Sequence, residues 1–132
     1  MSDPELIEIA IHVADHAYCP YSRFHVGAAL RADDGRVFTG VNVENASFGL
    51  TICAERSAIS AAISAGARRV SVLAIAADGE QATPPCGACR QVLAEFAGAD
   101  LEIVLVSLST HNITGTFTLA ELLPHTFKHS PK

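Results

Sequence analysis

The chain has 132 residues, of which 17% are charged and 49% are hydrophobic, and its formal net charge is −5. This length predicts one domain, residues 1–132, around a single core. The acidic balance, with no basic run longer than Arg68 and Arg69, argues against a surface that binds nucleic-acid phosphates.

Neither the apolar runs nor the start of the chain suggests a membrane segment or a secretory signal. No apolar run approaches the roughly 18 residues that span a bilayer, and "MSDPELIE" is acidic where a secretory signal would be basic. We therefore expect a cytoplasmic protein without membrane contact. In that compartment the four cysteines are expected to be metal ligands, catalytic thiols or buried small side chains rather than disulfides.

The first half of the chain predicts a helix, two strands and a second helix. Asp3 and Pro4 begin an amphipathic helix that ends near "CPYS". Residues 25–32 and 36–43 are β-prone and are separated by the hairpin turn "DDG". The loop "ENASFGLT" leads to the helix of "CAERSAISAAISAG", with Gly66 at the C-cap.

The second half continues this alternation. The runs "RVSVLAIAA" and "LEIVLVSL" are short and apolar without polar alternation, which is typical of buried strands. Between them, "PPCGACRQVLAEFAG" predicts a proline-led helix closed by Gly98, and after them a polar loop leads to the short helix of "TLAELLP". The alternation of strand and helix predicts an α/β sandwich with a mixed sheet.

Three of the cysteines lie at predicted helix starts. Cys86 and Cys89 form a Cys-x-x-Cys on one helix face, which alone is compatible with zinc or with redox chemistry. Cys53 adds a third thiol, and three thiolates with a fourth position left to water are typical of a catalytic zinc site. Helix N-termini lower the pKa of thiols, so two helix starts that meet head to head would suit thiolates and a metal.

Glu55 follows Cys53 by two positions, which is roughly 200° around a helix. The two side chains cannot share a flank, but both can bend over the open end of the first turn, so we expect a metal off that end. A carboxylate beside zinc-bound water can act as a general base and then as a general acid. An isolated glutamate here would more often only stabilise the first turn, but its spacing from a candidate ligand favours the catalytic role.

The pattern "CAE" followed by "PPCGAC" resembles the zinc-dependent deaminases. Over nearly its whole length the chain resembles the small homotetrameric cytidine deaminases, through "PYSRFHVGAAL", "GVNVENASFGLTICAERSAI", "PCGACRQVLAEF" and "ELLPHTF". The resemblance implies a three-layer α/β/α sandwich with a mixed sheet of about five strands. It also implies hydrolytic deamination of cytidine and deoxycytidine to uridine and deoxyuridine by zinc-bound hydroxide, in pyrimidine salvage.

The resemblance implies one zinc per subunit, held by Cys53, Cys86 and Cys89, with Glu55 as the proton shuttle. Zinc with three thiolates carries net negative charge, which works against deprotonating a bound water. Arg56 can offset that charge by donating hydrogen bonds to ligand sulfurs, in a role that resembles the family's.

The nucleoside contacts also come from the resemblance. Asn42 and Glu44 lie two apart, on one face of a strand, and are implied to hold the ribose 3′-hydroxyl. Without the resemblance they would be ordinary solvated side chains at a strand end. Phe24 is implied to stack on the pyrimidine, although an aromatic in a strand is more often core, and backbone groups of Ala54 are implied to orient the base.

Three further residues are implied to serve sites shared between subunits of a homotetramer. Ala46 and Phe48 lie in "NASFG", which in the family reaches a neighbouring subunit's pocket, and Phe127 matches the aromatic that closes another subunit's site. The family commonly has Tyr where this chain has Phe48, so any contact through the phenolic oxygen is lost here.

Two alternatives stay open from the sequence. A deaminase of another nucleoside, the antibiotic blasticidin S, would use similar zinc chemistry, although "NVENASFG" favours cytidine. In a different class, Cys19 could complete a closed four-cysteine site in a binding module without catalysis.

Overall fold

The first helix begins where the sequence supplies a capping residue and a proline. In the computed structural model, which describes residues 3–81 and 83–127, α1 spans Pro4–Val13. The Asp3 carboxylate accepts a hydrogen bond from the Leu6 N–H at 3.2 Å, which satisfies one of the free donors of the first turn. A 3₁₀ turn, Ala14–His16, follows, and Ala17 is no longer helical. The regular helix therefore ends earlier than the predicted end near "CPYS".

The described residues form one sheet of five strands in the order β2-β1-β3-β4-β5. The strands are β1 Val26–Ala32, β2 Val37–Val41, β3 Val70–Ala77, β4 Glu102–Ser107 and β5 Ile113–Thr118. β3 and β4 pair in parallel, and the other neighbouring pairs are antiparallel. The predicted mixed sheet is confirmed, with the first two strands slightly shorter than predicted.

The edge strand β5 lies in the segment that the sequence pattern presented as a polar loop, so that interpretation is wrong. Its residues ITGTFT are exposed or half-buried throughout, and the strand pairs with β4 alone. An edge strand of this kind has no continuous apolar run, and the polar threonines and a glycine obscure its pattern. Its pairing with β4 is the tertiary contact that makes it a strand.

Helices cover both faces of the sheet. The remaining helices are α2 Ala54–Ser64, α3 Gly87–Phe96 and α4 Leu119–Leu122. α1 buries Leu6 and Ala10 against one face of the sheet, in a core with Ala74 and Val104. α2 and α3 pack with the other face in a second core. The predicted three layers are therefore confirmed, and within the described ranges no helix is long and apolar enough to cross a bilayer.

The two predicted C-cap glycines differ. Gly66 has a φ of +98° just beyond the end of α2, a conformation that glycine adopts without penalty, so this cap is confirmed. α3 ends instead in an extended Ala97, and Gly98 is not among the glycines with positive φ. The predicted glycine cap of α3 is therefore wrong.

Gly40 allows β2 to approach the backbone of α2, which begins directly after Cys53. A Cβ at Gly40 would lie 2.3 Å from the Ala58 nitrogen and 2.5 Å from the Ala54 oxygen, so strand and helix would have to separate. We expect Gly40→Ala to destabilise the protein by about 2–3 kcal/mol, as measured by thermal melting. Thr39→Ala, an exposed position on the same strand, is the control and should change stability by less than about 0.5 kcal/mol. An unchanged melting temperature for Gly40→Ala would contradict the close approach.

Candidate active site

Two helix starts meet, and each presents a cysteine. Cys53 is the N-cap of α2 and Cys86 is the N-cap of α3, and neither side chain caps its own helix. The Cys53 and Cys86 Sγ atoms are 3.9 Å apart, and the Cys86 and Cys89 Sγ atoms are 3.5 Å apart. All three sulfurs lie within 4.8 Å of one another, so the structure brings the three predicted ligands together.

These sulfur separations fit a zinc ion. Tetrahedral coordination with Zn–S bonds of about 2.3 Å places the sulfurs about 3.8 Å apart. Thiolates are ligands that zinc prefers, and three of them leave a fourth position for water or substrate. Within residues 3–81 and 83–127 the structure thus offers one zinc site, with Cys53, Cys86 and Cys89 as the ligands.

The pKa values of Cys86 and Cys89, the two thiols at the start of α3, shift in opposite directions. Burial alone would raise the pKa of Cys86, but hydrogen bonds from the N–H groups of Cys89 and Ala88 and from the neighbouring thiols hold that pKa below its usual value. Cys89 is fully buried, and both burial and the nearby Glu55 carboxylate raise its pKa. A bound divalent cation would lower the pKa of Cys89 again, because it stabilises the thiolate directly.

Glu55 is buried beside the thiols, with 6% of its surface exposed. Burial raises the pKa of its carboxyl, against the opposing effects of a backbone N–H and of Arg56. Its carboxyl also faces Cys89. A raised pKa makes the Glu55 carboxyl a better proton acceptor than an ordinary glutamate, which suits a group that takes up a proton and hands it on.

Arg56 reaches back to the first ligand. Its Nη2 donates to Cys53 Sγ at 3.6 Å and to the Thr51 carbonyl at 3.4 Å, and the bond to Cys53 raises the pKa of the guanidinium. Its Nε is buried and has no hydrogen-bond partner among the described residues. A cation held in this place offsets the negative charge of a three-thiolate site.

We expect Arg56→Ala to lower zinc occupancy and to reduce turnover by about tenfold or more, because one sulfur loses its hydrogen-bond donor. Metal analysis and steady-state kinetics on the same preparation measure the two effects. Arg68→Ala is the control, because Arg68 donates only to the Ile63 and Ala67 carbonyls at the far end of α2. Unchanged occupancy and turnover in Arg56→Ala would contradict the role.

A cavity of about 240 Å³, the inner cavity, opens beside the thiols. Five of the predicted site residues line it: Asn42, Cys53, Ala54, Glu55 and Cys86. A second depression of about 370 Å³ is lined by Glu44 and Phe48 and shares Thr51 with the first. The site is therefore a pocket at the metal centre with an open extension.

Asn42 and Glu44 already have partners within the chain. The Asn42 side chain accepts from the Val26 N–H at 3.0 Å and donates to the Phe24 carbonyl at 2.8 Å. Glu44 Oε1 accepts from the N–H groups of Tyr21 at 3.0 Å and Ser22 at 3.1 Å. Both side chains are thus held in fixed orientations, Asn42 in the lining of the cavity beside the thiols and Glu44 in the lining of its extension.

Comparisons with known proteins agree with this geometry. Residues 1–105 match the family model of the cytidine and deoxycytidylate deaminase zinc-binding region. A cytidine deaminase from Halalkalibacterium halodurans is 51% identical over 122 residues, which cover 92% of this chain and 91% of that relative. The chain belongs to the cytidine and deoxycytidylate deaminase family.

Solved structures of cytidine deaminases have the same fold. The crystal structure of the protein from Burkholderia pseudomallei has a TM-score of 0.89 and 43% identity, and covers 96% of this chain and 100% of its own. The crystal structure of the protein from Mycobacterium tuberculosis has a TM-score of 0.82 and 44% identity, and covers 96% of this chain and 97% of its own. The predicted deaminase family and fold are confirmed.

The other predicted residues of this deaminase lie outside the inner cavity. Phe24 is partly exposed, and Ala46 is exposed. Phe48 is 76% exposed, and its one aromatic contact among the described residues is a T-shaped contact with the Tyr21 ring. Phe127 is 73% exposed, and its carbonyl accepts from Gln91 Nε2 at 3.2 Å. None of these four side chains closes the inner cavity within one chain.

Two residues of the deaminase site were missed by the sequence analysis. Arg90 donates from Nε to the Pro85 carbonyl at 2.7 Å and from Nη1 to the Leu122 carbonyl at 2.8 Å, so it ties the turn before Cys86 to the end of α4. Thr83 lines the inner cavity. The only sequence indication for Arg90 was its position one turn after Cys86, within "CGACRQ".

Proposed function

We propose that this protein hydrolyses cytidine and deoxycytidine to uridine and deoxyuridine with release of ammonia. The observation that carries the proposal is the placement of Glu55, buried beside three sulfurs that lie within 4.8 Å of one another at two helix starts. Buried carboxylates beside a zinc site are typical of the family's chemistry. The relatives that share this sequence over most of its length carry the name cytidine deaminase.

Cys53, Cys86 and Cys89 would hold the zinc, which when bound would supply Lewis-acid activation of water for attack on the ring carbon that carries the amino group. The protein's own task is to move protons and to hold the nucleoside. The Glu55 carboxylate accepts a proton from the attacking water and passes it to the ring nitrogen. It then accepts the proton of the newly added hydroxyl and passes it to the amino group, which leaves as ammonia. Arg56 keeps Cys53 oriented through its hydrogen bond.

Asn42 and Glu44 each have hydrogen-bonding capacity left for the ribose. The Asn42 Nδ2 group donates one of its two hydrogens to the Phe24 carbonyl, which leaves one for a ligand. Glu44 as a carboxylate only accepts, so a ribose 3′-hydroxyl can donate to Glu44 and accept from Asn42. Phe24 then presents its ring for stacking on the pyrimidine, and the backbone of Ala54 orients the base.

The exposed aromatic and aliphatic side chains support a homotetramer with sites shared between subunits. Tyr21 and Phe48 line the open extension and are exposed, and Leu50, one residue before Thr51 in the chain, is exposed as well. Exposed patches of this kind mark interaction surfaces. In this proposal Ala46 and Phe48 reach a neighbouring subunit's site, and Phe127 closes another.

Ending the chain after Leu123 is expected to weaken the tetramer and to lower kcat/KM for cytidine at least about tenfold, since Phe127 would no longer close a neighbouring site. Size-exclusion chromatography with light scattering and steady-state kinetics check both effects. A chain that ends after Phe127 is the matched control and should keep assembly and activity. A tetramer with full activity after the longer truncation would contradict the closing role.

We place the enzyme in the cytoplasm, as a single catalytic domain that recovers pyrimidine nucleosides for reuse. All four cysteines are free thiols, in keeping with a reducing compartment. Cys19 is buried and does not belong to the sulfur group, so the described residues offer no closed four-cysteine site.

Incubation with cytidine, deoxycytidine, cytosine and blasticidin S, followed by ultraviolet absorbance, tests the proposal. We expect zinc-dependent loss of the amino group from both cytidine nucleosides. Free cytosine should react far more slowly, because it leaves the polar groups at Asn42 and Glu44 without their ligand partner. Preferred reaction with blasticidin S would contradict the substrate assignment, and no reaction with any of them would contradict the activity.

A further inference from the structure

A short hydrogen-bonded chain links Glu44 to the backbone of Phe24 through Ser22. The Ser22 hydroxyl donates to Glu44 Oε2. The same oxygen, Ser22 Oγ, accepts from the Phe24 N–H at 3.0 Å. Glu44 Oε1 meanwhile accepts from the N–H groups of Tyr21 and Ser22. One serine side chain thus lies between the residue proposed to bind the ribose and the residue proposed to stack on the base.

The loop between Ser22 and Phe24 has an unfavourable backbone conformation. Arg23 has a φ of +59°, which is uncommon for a residue with a side chain. Its N–H donates to the Cys19 carbonyl at 2.8 Å, which closes one turn just before β1. A conformation of this kind persists only where neighbouring contacts hold it, and such residues concentrate at functional sites. Here the contacts with Glu44 provide that support.

The Phe24 backbone is held on its other side by Asn42. Asn42 Nδ2 donates to the Phe24 carbonyl at 2.8 Å, while Ser22 accepts from the Phe24 N–H. The Phe24 carbonyl is therefore held by one proposed ribose ligand, Asn42, and its N–H by Ser22, which is bonded to the other, Glu44. Phe24 is thus connected by hydrogen bonds to both Glu44 and Asn42.

We infer that Ser22 is a positioning residue that couples recognition of the ribose 3′-hydroxyl at Glu44 to the placement of Phe24 against the base. This inference rests on the proposed function, because it takes the 3′-hydroxyl as a ligand of Glu44. An ionised carboxylate has about four lone-pair sites, and the two N–H groups and the Ser22 hydroxyl fill three of them. The remaining site on Oε2 accepts one donor from the substrate.

The negative charge of Glu44 favours a substrate group that donates a hydrogen bond. The Ser22 hydroxyl lowers the pKa of the Glu44 carboxyl more than burial raises it, and the N–H groups of Ser22 and Tyr21 lower that pKa further. The side chain therefore stays an acceptor. A free 3′-hydroxyl can donate to it, whereas a 3′-phosphate would be repelled and a 3′-ether has no proton to donate.

A cycle of two enzymes and two substrates tests the coupling. Zinc-loaded wild type and Ser22→Ala are each assayed with cytidine and with 3′-deoxycytidine, and kcat and KM are determined separately. We expect the wild type to favour cytidine in kcat/KM by at least about tenfold. In Ser22→Ala we expect kcat/KM for cytidine to fall about tenfold, mainly through KM, and the preference for cytidine to shrink by about fivefold.

Two further variants separate positioning from general damage. Ser22→Thr keeps the hydroxyl and should retain most of the preference. Ser109→Ala removes an exposed hydroxyl in the β4–β5 loop that makes no hydrogen bond of its own within the described residues, and should behave as wild type. Zinc content and melting temperature of Ser22→Ala should match wild type, which shows that the loss is not a folding defect.

The possible failures are distinguishable. An equal loss on both substrates in Ser22→Ala, with the wild-type preference intact, would overturn the role of Ser22 and leave the ribose contact standing. A wild type that does not distinguish cytidine from 3′-deoxycytidine would overturn the proposed contact at Glu44 and this inference with it. A loss in Ser22→Thr as large as in Ser22→Ala would also overturn the inference, because the hydroxyl would then not be the active group.

Discussion

Replacing Glu55 by glutamine is expected to lower kcat for cytidine by about 10⁴ or more, while the protein keeps its zinc and its fold. Glutamine has the same shape but can neither accept nor deliver a proton at neutral pH. General acid–base catalysis by one group contributes about 10²–10⁴, and Glu55 is proposed to act at more than one proton transfer. Removing a buried carboxyl whose pKa is raised by burial should not destabilise the fold.

Steady-state kinetics, metal analysis and thermal melting on Glu55→Gln measure these three properties. Glu95→Gln is the matched control, because Glu95 is exposed on α3, away from the cavity lining. Its kinetics should equal those of the wild type. Activity of Glu55→Gln within about tenfold of wild type would contradict the role of Glu55 as the proton shuttle.

Replacing Cys89 by serine is expected to abolish both zinc binding and deamination. Cys89 is fully buried with its sulfur 3.5 Å from that of Cys86, so a serine fits the space but presents a hydroxyl that zinc binds poorly. We expect zinc affinity to fall by about 10³ or more. Since zinc stabilises only the folded state, a chelator should lower the melting temperature of the wild type but not that of Cys89→Ser.

Cys19→Ser is the matched control for Cys89→Ser. Cys19 is also buried, but it lies outside the group of three sulfurs, so its variant should keep one zinc per chain and near wild-type activity. Loss of zinc in Cys19→Ser would support a closed four-cysteine site and contradict the account. Full zinc occupancy in Cys89→Ser would contradict the ligand assignment.

The residue pattern predicted the parts of the fold that depend on local and periodic features. β3 and β4 are apolar runs of the kind typical of strands covered on both faces. Asp3 and Pro4, a capping residue followed by a proline, predicted the start of α1. The cysteine positions likewise predicted a site off two helix starts, and Cys53 and Cys86 are the N-caps of α2 and α3 with side chains that do not cap their own helices.

The residue pattern could not predict contacts between residues that are far apart in the chain. β5 is a strand because β4 pairs with it, and its own alternation is too polar to reveal this. Ser22 and Glu44 are far apart in the chain, and no periodicity connects them. The positive φ of Arg23 was equally hidden, because residues that adopt this conformation are usually glycine or asparagine.

Titration of metal-free protein with zinc, followed by the rate of ultraviolet change with cytidine, tests the central claim most directly. We expect no deamination without metal, a linear rise of activity with added zinc, and a plateau at one zinc per chain. The pH should be held constant, because thiol ligands release protons on binding zinc. Full activity in the metal-free protein, or zinc saturation with no loss of the amino group from cytidine, would contradict the central claim.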